Sequence, residues 1–146
     1  MDQAARLLQL GEMRRLVILC VLVLSACGED EPMPAPTTEE RLAAPASAVN
    51  GQRLAQICRT CHEVAEGTGH RVGPNLWGVV GSKSARHPDF QYSAALMRSD
   101  LIWDEATLDA YLENPQAALP GGRMAYPGMP NEADRRDVIA YLNSLR

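Results

Sequence analysis

The sequence is poor in aromatic residues, with one Phe, two Trp and four Tyr among 146 residues. So few large side chains limit the apolar surface that a small domain can bury. We therefore expect a disulfide, a metal or a cofactor to complete the core. The chain also has a single lysine, Lys83, and no basic excess, because 14 Lys and Arg stand against 18 Asp and Glu. This balance argues against a nucleic-acid-binding protein.

Long hydrophobic runs are absent, and the main apolar run covers only the eleven residues Leu16–Ala26, after Arg14 and Arg15. A membrane-spanning helix needs about 20 such residues. A basic start followed by a short apolar run instead predicts an export signal over residues 1–27. A buried core helix is the alternative, but the acidic, Pro-rich sequence that follows argues against it. Met13 fits as the true start, because the twelve residues before it add nothing to the signal.

Cysteines are few, and the first pair lies in or just after this apolar run, at Cys20 and Cys27. The run Leu24-Ser25-Ala26-Cys27 resembles the bacterial lipobox, in which the cysteine becomes the acylated N-terminus of the mature protein. The resemblance implies a lipid on Cys27 and anchoring at the membrane surface, on the periplasmic side of a bacterial envelope. An ordinary signal-peptide cysteine is the alternative.

Residues 28–49 are rich in Pro, Ala and Glu and show no apolar periodicity, which predicts a linker that is partly extended. The folded domain is then residues 50–146. It contains ten Lys and Arg against eleven Asp and Glu, a net charge near −1. No internal repeat occurs in the chain.

The pattern of the domain predicts an all-α fold with long loops. Residues 67–89 and 117–130 are rich in Gly and Pro and are interpreted as loops, and no β alternation is present. Asp104 and Asn131 stand where helix caps are expected, and Pro115 stops the first of these two helices. Three sets of apolar residues have helical spacing: Leu54, Ile57, Cys58 and Cys61; Leu108, Tyr111 and Leu112; and Val138, Tyr141, Leu142 and Leu145.

The second pair of cysteines forms the motif Cys58-Arg59-Thr60-Cys61-His62, which is typical of a covalent haem attachment site. Two thiols one turn apart can each add to a haem vinyl group, and the histidine can then bind the iron. A zinc site would need a second ligand pair, which is missing, since His70 and His87 lie in a loop and are predicted to be solvated. A thioredoxin-like redox pair would need a βαβ context, which is also missing.

The other face of the iron needs a second ligand, and a thioether would raise the reduction potential relative to a second histidine. The candidates are Met97, Met124 and Met129. Met97 lies on a predicted short helix and is interpreted as a packing residue. The other two lie in the Pro/Gly-rich segment, which can cross a haem face in a way that a helix cannot.

At this point the domain resembles the class I c-type cytochromes, in particular the mitochondrial-type cytochrome c and bacterial cytochrome c2 or c550 group. The resemblance implies an all-α class I cytochrome c fold, in which the first and last helices cross around one covalent haem. It rests on six segments in order: Cys58–His62, Gly73-Pro74-Asn75-Leu76, Phe90-Gln91-Tyr92-Ser93, Trp103, Tyr111-Leu112-Glu113-Asn114-Pro115 and Pro120-Gly121-Gly122-Arg123-Met124.

The resemblance also implies a role for each matching residue. His62 is the proximal iron ligand, oriented by a hydrogen bond to the carbonyl of Pro74. Met124 is the distal ligand, rather than Met129. The remaining implied contacts are hydrogen bonds from Tyr92 and Trp103 to a haem propionate, and a place for Tyr111 beside the distal methionine.

The chain departs from the family pattern at several positions. Gly51 lies one residue later than the glycine at which the terminal helices touch in many members. The other departures are Gly122 for a hydroxyl residue, Leu96 for an Asn near a buried water, and Ser82 for an Arg near a propionate. The lysine ring is also missing, although Arg59, Arg71 and Arg123 could form a weaker positive patch.

These observations predict a monomeric electron carrier of a bacterial respiratory or photosynthetic chain, and not an enzyme. It is expected to hold one covalent haem c with its iron. Its expected partners are redox proteins, such as a cytochrome bc1-type complex and a terminal oxidase or peroxidase, and not nucleic acid. Two alternatives stay open: an enzyme or gas sensor with an open iron, and a fixed haem subunit of a larger complex.

Overall fold

The computed structural model describes residues 34–146, so the predicted signal and Cys27 lie outside the described residues. Within this part the chain forms six α-helices and one 3₁₀ turn: α1 (Thr38–Ala43), α2 (Ala48–Leu54), the 3₁₀ turn (Cys58–Thr60), α3 (Ala94–Arg98), α4 (Glu105–Glu113), α5 (Pro115–Ala118) and α6 (Glu132–Ser144). Residues 34–146 contain no strand, only an isolated antiparallel bridge between Lys83 and Ile102. None of the helices in this range has the length and apolar character to cross a membrane. The all-α prediction is confirmed.

Two helices begin at the caps that the sequence predicts. At the start of α4, the side chain of Asp104 accepts a hydrogen bond from the N–H of Thr107 at 2.7 Å. At the start of α6, the side chain of Asn131 accepts one from the N–H of Asp134 at 3.2 Å. Each cap satisfies a backbone donor that the helix itself leaves free.

The helix α4 ends just before Pro115, as predicted. Pro115 is then the first residue of α5, where its missing N–H costs no hydrogen bond. The four residues of α5 extend into the segment that the sequence assigns to a loop from residue 117. The rest of that segment, to residue 130, contains no helix.

The helices α2 and α6 cross at Gly51, which is buried. A Cβ atom at this position would lie 1.8 Å from the carbonyl oxygen of Asp137 and 2.9 Å from the Cβ of Tyr141. No side chain fits at such distances, so the two backbones touch directly. The contact that the shifted glycine left uncertain in the sequence is therefore made by Gly51 itself.

Apolar side chains of α4 and α6 form most of the core. The stripe predicted on α6 is buried along its whole length, and Val138 at its centre has no exposed surface. On α4, Leu108 and Leu112 are buried and Tyr111 is half-buried. Burial of an aliphatic or aromatic side chain stabilises the fold by about 1.5–3 kcal/mol.

The helical stripe predicted between Leu54 and Cys61 is wrong in part. The helix α2 ends at Leu54, and the chain turns before the 3₁₀ turn begins at Cys58. A 3₁₀ turn winds more tightly than an α-helix, so residues spaced for an α-helix no longer share one face. Ile57 is accordingly 54% exposed instead of packed in the core.

Residues 37–47 differ from the predicted linker, of which they are part. They contain the helix α1 and lie against α6. Arg41 of α1 forms ion pairs with Asp134 and Asp137 of α6. Because these contacts are polar, the segment shows no apolar periodicity, and its sequence gives no indication that it is ordered.

Candidate functional site

The two motif cysteines lie at the 3₁₀ turn, and both are free, half-buried thiols. The carbonyl oxygen of Cys58 accepts hydrogen bonds from the N–H groups of Cys61, at 3.1 Å, and His62, at 2.9 Å. These two backbone hydrogen bonds therefore fix the turn that joins the two cysteines to His62. Burial raises the pKa of the Cys58 thiol, and the neighbouring Cys61 adds to this effect.

His62 is oriented by a hydrogen bond in which its Nδ1–H donates to the carbonyl oxygen of Pro74 at 2.6 Å. Because a carbonyl only accepts, Nδ1 carries the proton and Nε2 keeps a lone pair. Burial lowers the pKa of His62, although the bond to Pro74 opposes this shift. The ring is therefore neutral and presents the lone pair that a metal ligand requires.

The segment that carries Pro74 can approach His62 because Gly73 has no side chain. A Cβ atom at Gly73 would lie 2.3 Å from Cε1 of His62. The N–H of Gly73 donates to the carbonyl oxygen of Cys61 at 2.7 Å, which joins this segment to the motif. The imidazole is thus held from one side by backbone atoms.

The three candidate methionines have different surroundings. Met97 is 68% exposed, so its interpretation as a packing residue is wrong. Met129 is 9% exposed and belongs to the core, and its N–H donates to the carbonyl of Leu112 at 2.8 Å. Met124 is half-buried, and its carbonyl accepts from Nε2 of Gln116 of α5 at 3.3 Å. Of the two methionines in the Pro/Gly-rich segment, Met124 is the one that the core does not use.

Tyr92 and Trp103 both have a donor without an acceptor in residues 34–146. The hydroxyl oxygen of Tyr92 accepts a hydrogen bond from the N–H of His87 at 3.3 Å, while its own O–H stays free. Trp103 is 8% exposed, and only its backbone is hydrogen-bonded, to Gly81 and Ser82. An acidic group of a bound cofactor would supply the acceptor that each of these donors lacks among the described residues.

Tyr111 lies on α4 and packs edge-on against Trp103, with 4.9 Å between the ring centroids. Burial raises the pKa of Tyr111, which keeps its hydroxyl protonated. Tyr111 and Trp103 therefore form one aromatic pair.

Arg86 is a further residue of this region, which the sequence pattern does not indicate. Its guanidinium donates to the carbonyls of Asn75, at 3.2 Å, Gly78, at 2.8 Å, and Trp77. Burial lowers the pKa of the Arg86 guanidinium, and the nearby Tyr92 hydroxyl acts in the opposite direction. In the described part of the chain, no carboxylate pairs with it. Arg86 thus fastens the segment that follows Pro74.

The position where many family members have an arginine has another role here. The hydroxyl of Ser82 donates to the carbonyl of Val79 at 2.7 Å, and the adjacent Lys83 is exposed. Arg86 lies four residues further along the same loop. A single arginine in a Gly/Pro-rich loop is a weak pattern, and only the contacts reveal its importance.

His70 and His87 are half-buried, so the prediction that they are solvated is wrong. The Nδ1 of His70 accepts from the N–H of Asn75 at 3.0 Å, which leaves the proton on Nε2, 3.2 Å from a carboxylate oxygen of Asp89. The ligand atoms of His70, His87 and Asp89 lie within 4.8 Å of one another. A protonated Nε2 cannot bind a metal, however, so this cluster fastens the loop instead.

The three arginines of the predicted positive patch are exposed, but two of them are partly engaged. Nη1 of Arg71 donates to the carbonyl of Arg59 at 2.9 Å, and its Nε lies 3.7 Å from the Glu63 carboxylate. Arg123 donates to the carbonyl of Gln91. Neighbouring acidic and carbonyl groups therefore weaken the patch.

Comparison with known proteins agrees with this site. Residues 48–146 match the family model described as cytochrome c. Cytochrome c2 of Rhodomicrobium vannielii is 49% identical over 94 residues, which cover 64% of this chain and 75% of that protein. Cytochrome c2 of Rhodopila globiformis is 42% identical over 105 residues, 71% of this chain and 98% of that protein.

A solved structure, that of cytochrome cH from Methylobacterium extorquens, is similar with a TM-score of 0.64 and 35% identity. The match covers 68% of this chain and 99% of that one. Cys58 and Cys61, which form no disulfide, and the Nε2 lone pair of His62 fit a covalently bound haem. The chain accordingly holds a haem c with its iron and transfers electrons instead of converting a substrate, because it belongs to the cytochrome c family.

Proposed function

We propose that this chain is a lipid-anchored, periplasmic electron carrier whose haem iron is bound by His62 and Met124. The observation that carries the proposal is the 2.6 Å hydrogen bond from Nδ1 of His62 to Pro74, which leaves Nε2 for the iron. The haem supplies the one-electron chemistry at its iron. The residues of the chain hold both ligands in place and keep water from the metal.

Each ligand has its own support. His62 is held by the Pro74 carbonyl and by the close approach of Gly73. Met124 lies in a segment whose backbone is held by Gln116 of α5 through the carbonyls of Gly122 and Met124, each at 3.3 Å. A thioether ligand raises the potential relative to a second histidine, which suits a carrier between a quinol-oxidising complex and an oxidase.

The remaining site residues act on the edge of the haem. Tyr92 and Trp103 donate their free O–H and N–H groups to a propionate, because a buried carboxylate without such partners is costly. Tyr111 lies beside Met124 and restricts its movement. These roles are proposed from the resemblance and are supported by the unused donors of the first two residues.

The proposed place of action is the periplasmic face of a bacterial membrane, with the lipid on Cys27. The domain would act as a monomer and exchange electrons with redox proteins, such as a cytochrome bc1-type complex and a terminal oxidase or peroxidase. Several acyl chains on one residue give stable anchoring where a single chain is marginal. Co-purification tests the alternative of a fixed haem subunit, which would stay with its complex through detergent extraction.

The visible spectrum of the protein, produced with the haem-attachment machinery, tests the ligand set. We expect a c-type reduced spectrum, a methionine–ferric iron charge-transfer band and no response to carbon monoxide. Met124→Ala is expected to abolish the band and to allow carbon monoxide to bind. Met129→Leu is the control, since it keeps the volume of a buried core residue and should leave the band in place.

Two results would contradict the proposed ligand set. A band that survives Met124→Ala would move the distal ligand to another residue. Ready binding of carbon monoxide to the unaltered protein would favour the sensor or enzyme alternative. Mass spectrometry of the membrane-extracted protein tests the anchor separately, because acylation of Cys27 changes the mass of the N-terminal peptide.

A further inference from the structure

The helix α1 is held to α6 by charged and polar groups. Nη1 of Arg41 lies 2.5 Å from Oδ1 of Asp134, and its Nη2 lies 2.8 Å from Oδ2 of Asp137. The side-chain amide of Asn131 donates to the hydroxyl of Thr38 at 2.8 Å. No residue of α1 is fully buried, and its one large apolar side chain, Leu42, is half-buried, so charged and polar groups make most of this contact.

Both ends of α1 are capped, one from within and one by α6. At the start, Thr37 and Glu40 form a capping box. At the end, Arg136 donates to the carbonyls of Arg41, at 2.5 Å, and Leu42, at 2.8 Å. A cation at the carboxyl end of a helix also interacts favourably with the helix dipole.

A helix of six residues is far too short to be stable in water by itself. We infer from its length and contacts that α1 is helical only while it lies on α6. Because the contacts that hold it are ionic, its docking must weaken when salt screens them. The core does not depend on α1, since the buried crossing of α2 and α6 begins later, at Gly51.

We propose that residues 37–47 form a clasp, meaning a segment that folds on α6 and can open while the haem domain stays folded. Its docking surface is the face of α6 that carries Asp134, Arg136 and Asp137. Asp137 keeps the clasp in register with the domain, because it also accepts from the N–H of Ser47 at 2.8 Å. The clasp does not depend on the proposed anchor. Its opening would add eleven residues to the chain between the domain and Cys27, a consequence that rests on the proposed function.

Limited proteolysis of the purified holoprotein with trypsin tests the clasp, because the chain offers two informative bonds. Arg41–Leu42 lies within α1, and Arg53–Leu54 lies in the last turn of α2. Opening of the clasp exposes only the first bond, whereas unfolding of the domain exposes both. When reclosing outpaces cleavage, the rate follows the population of the open form.

We expect the Arg41–Leu42 bond to be cut much faster than the Arg53–Leu54 bond. Cleavage of the Arg41–Leu42 bond should accelerate several-fold when salt is raised. The effect of salt on trypsin itself is measured with a free peptide and is subtracted. At low salt, Asp134→Asn should accelerate cleavage of the Arg41–Leu42 bond about fivefold, because it removes the ion pair between Arg41 and Asp134 but leaves the cleavage site intact. Asp100→Asn is the matched control, since that exposed carboxylate has no partner among residues 34–146.

Two results would overturn the proposal. Equal cleavage rates at the two bonds under all conditions would mean that the segment opens only with the whole domain. Rapid cleavage at Arg41–Leu42 that neither salt nor Asp134→Asn changes would mean that the segment is not held by these charges. The haem spectrum of the same sample reports on the proposed carrier function, so the two failures can be distinguished.

Discussion

Gly73 is a residue at which a single missing methyl group determines where His62, the proposed iron ligand, lies. Gly73→Ala would push a Cβ to 2.3 Å from Cε1 of His62, and the ring or the backbone must then move. We expect the free energy of unfolding of the holoprotein to fall by about 1–3 kcal/mol, as in other overpacked sites. Urea unfolding followed by the haem absorbance measures this change.

Gly69→Ala provides the control in the same loop, because a Cβ there would meet nothing within 4 Å. It should leave the unfolding midpoint nearly unchanged. A loss of stability that is equal in both variants would point to a backbone conformation of this loop that disfavours alanine, instead of contact with His62.

Arg86 also acts at the scale of a single side chain, through its three carbonyl partners. Lysine keeps the charge but lacks the planar fork that reaches several acceptors at once. We expect Arg86→Lys to lower the free energy of unfolding by about 2 kcal/mol, since hydrogen bonds from charged groups contribute about 1.5–3 kcal/mol. Thermal unfolding measures this loss, and Arg98→Lys, a change at an exposed helix end, is the control. If only Arg86→Lys is destabilising, the effect comes from the three carbonyl contacts and not from the exchange of arginine for lysine as such.

At the scale of helices, Asp137 connects α6 to both α1 and α2. Burial acts to raise the pKa of Asp137, but hydrogen bonds from Asn50, Ser47 and Arg41 outweigh it and hold the pKa below the ordinary 3.8. A lowered folded-state pKa contributes stability that is present above the unfolded value and is lost as pH falls through the folded one. We expect the free energy of unfolding to decline as the pH falls below 3.8.

The Asp137→Asn variant tests whether this pH dependence comes from Asp137, because it removes the carboxyl group that titrates. It should be less stable than the unaltered protein at neutral pH, by on the order of 2 kcal/mol, and should lose less stability on acidification. Chemical unfolding between pH 3 and pH 7 provides the comparison. If the variant kept the full acid sensitivity, other carboxylates would have to account for it.

The helices that could be predicted are those whose causes lie within a few residues. Asp104 and Asn131 cap their own helices, and the α6 stripe through Val138 has an unambiguous period. The helix α1 escaped prediction because Arg41 finds its partners more than 90 residues away. The burial of His70 escaped prediction because its partner Asp89 lies 19 residues away, in a loop that has no periodic pattern.

At the scale of the whole molecule, the balance of charge determines how the domain meets its partners. Residues 50–146 contain ten basic and eleven acidic residues, and two of the three patch arginines are partly engaged. Electrostatic steering is therefore weak, whereas a shared membrane surface raises the effective concentration of partners. For the protein produced without residues 1–27, and therefore without the proposed anchor, we expect the electron-transfer rate to change less than about threefold between low and high ionic strength.

A variant with Glu63→Lys and Glu66→Lys, both close to the haem motif, should gain salt dependence with an acidic partner. Stopped-flow measurements over a series of ionic strengths would compare the two proteins. We propose that the lipid anchor, if present on Cys27, takes over the role of the missing lysine ring. A strongly salt-dependent rate that stays the same when residues 1–27 are removed would refute this proposal.

The clasp has a mechanical consequence. A force that pulls on the chain ahead of residue 37 meets the ion pairs of Arg41 before it reaches α2. Behind α2 lie Cys58 and Cys61, the points at which the chain is joined to its cofactor. Under a pulling force, the clasp would open first, and the residues around the haem iron would keep their positions.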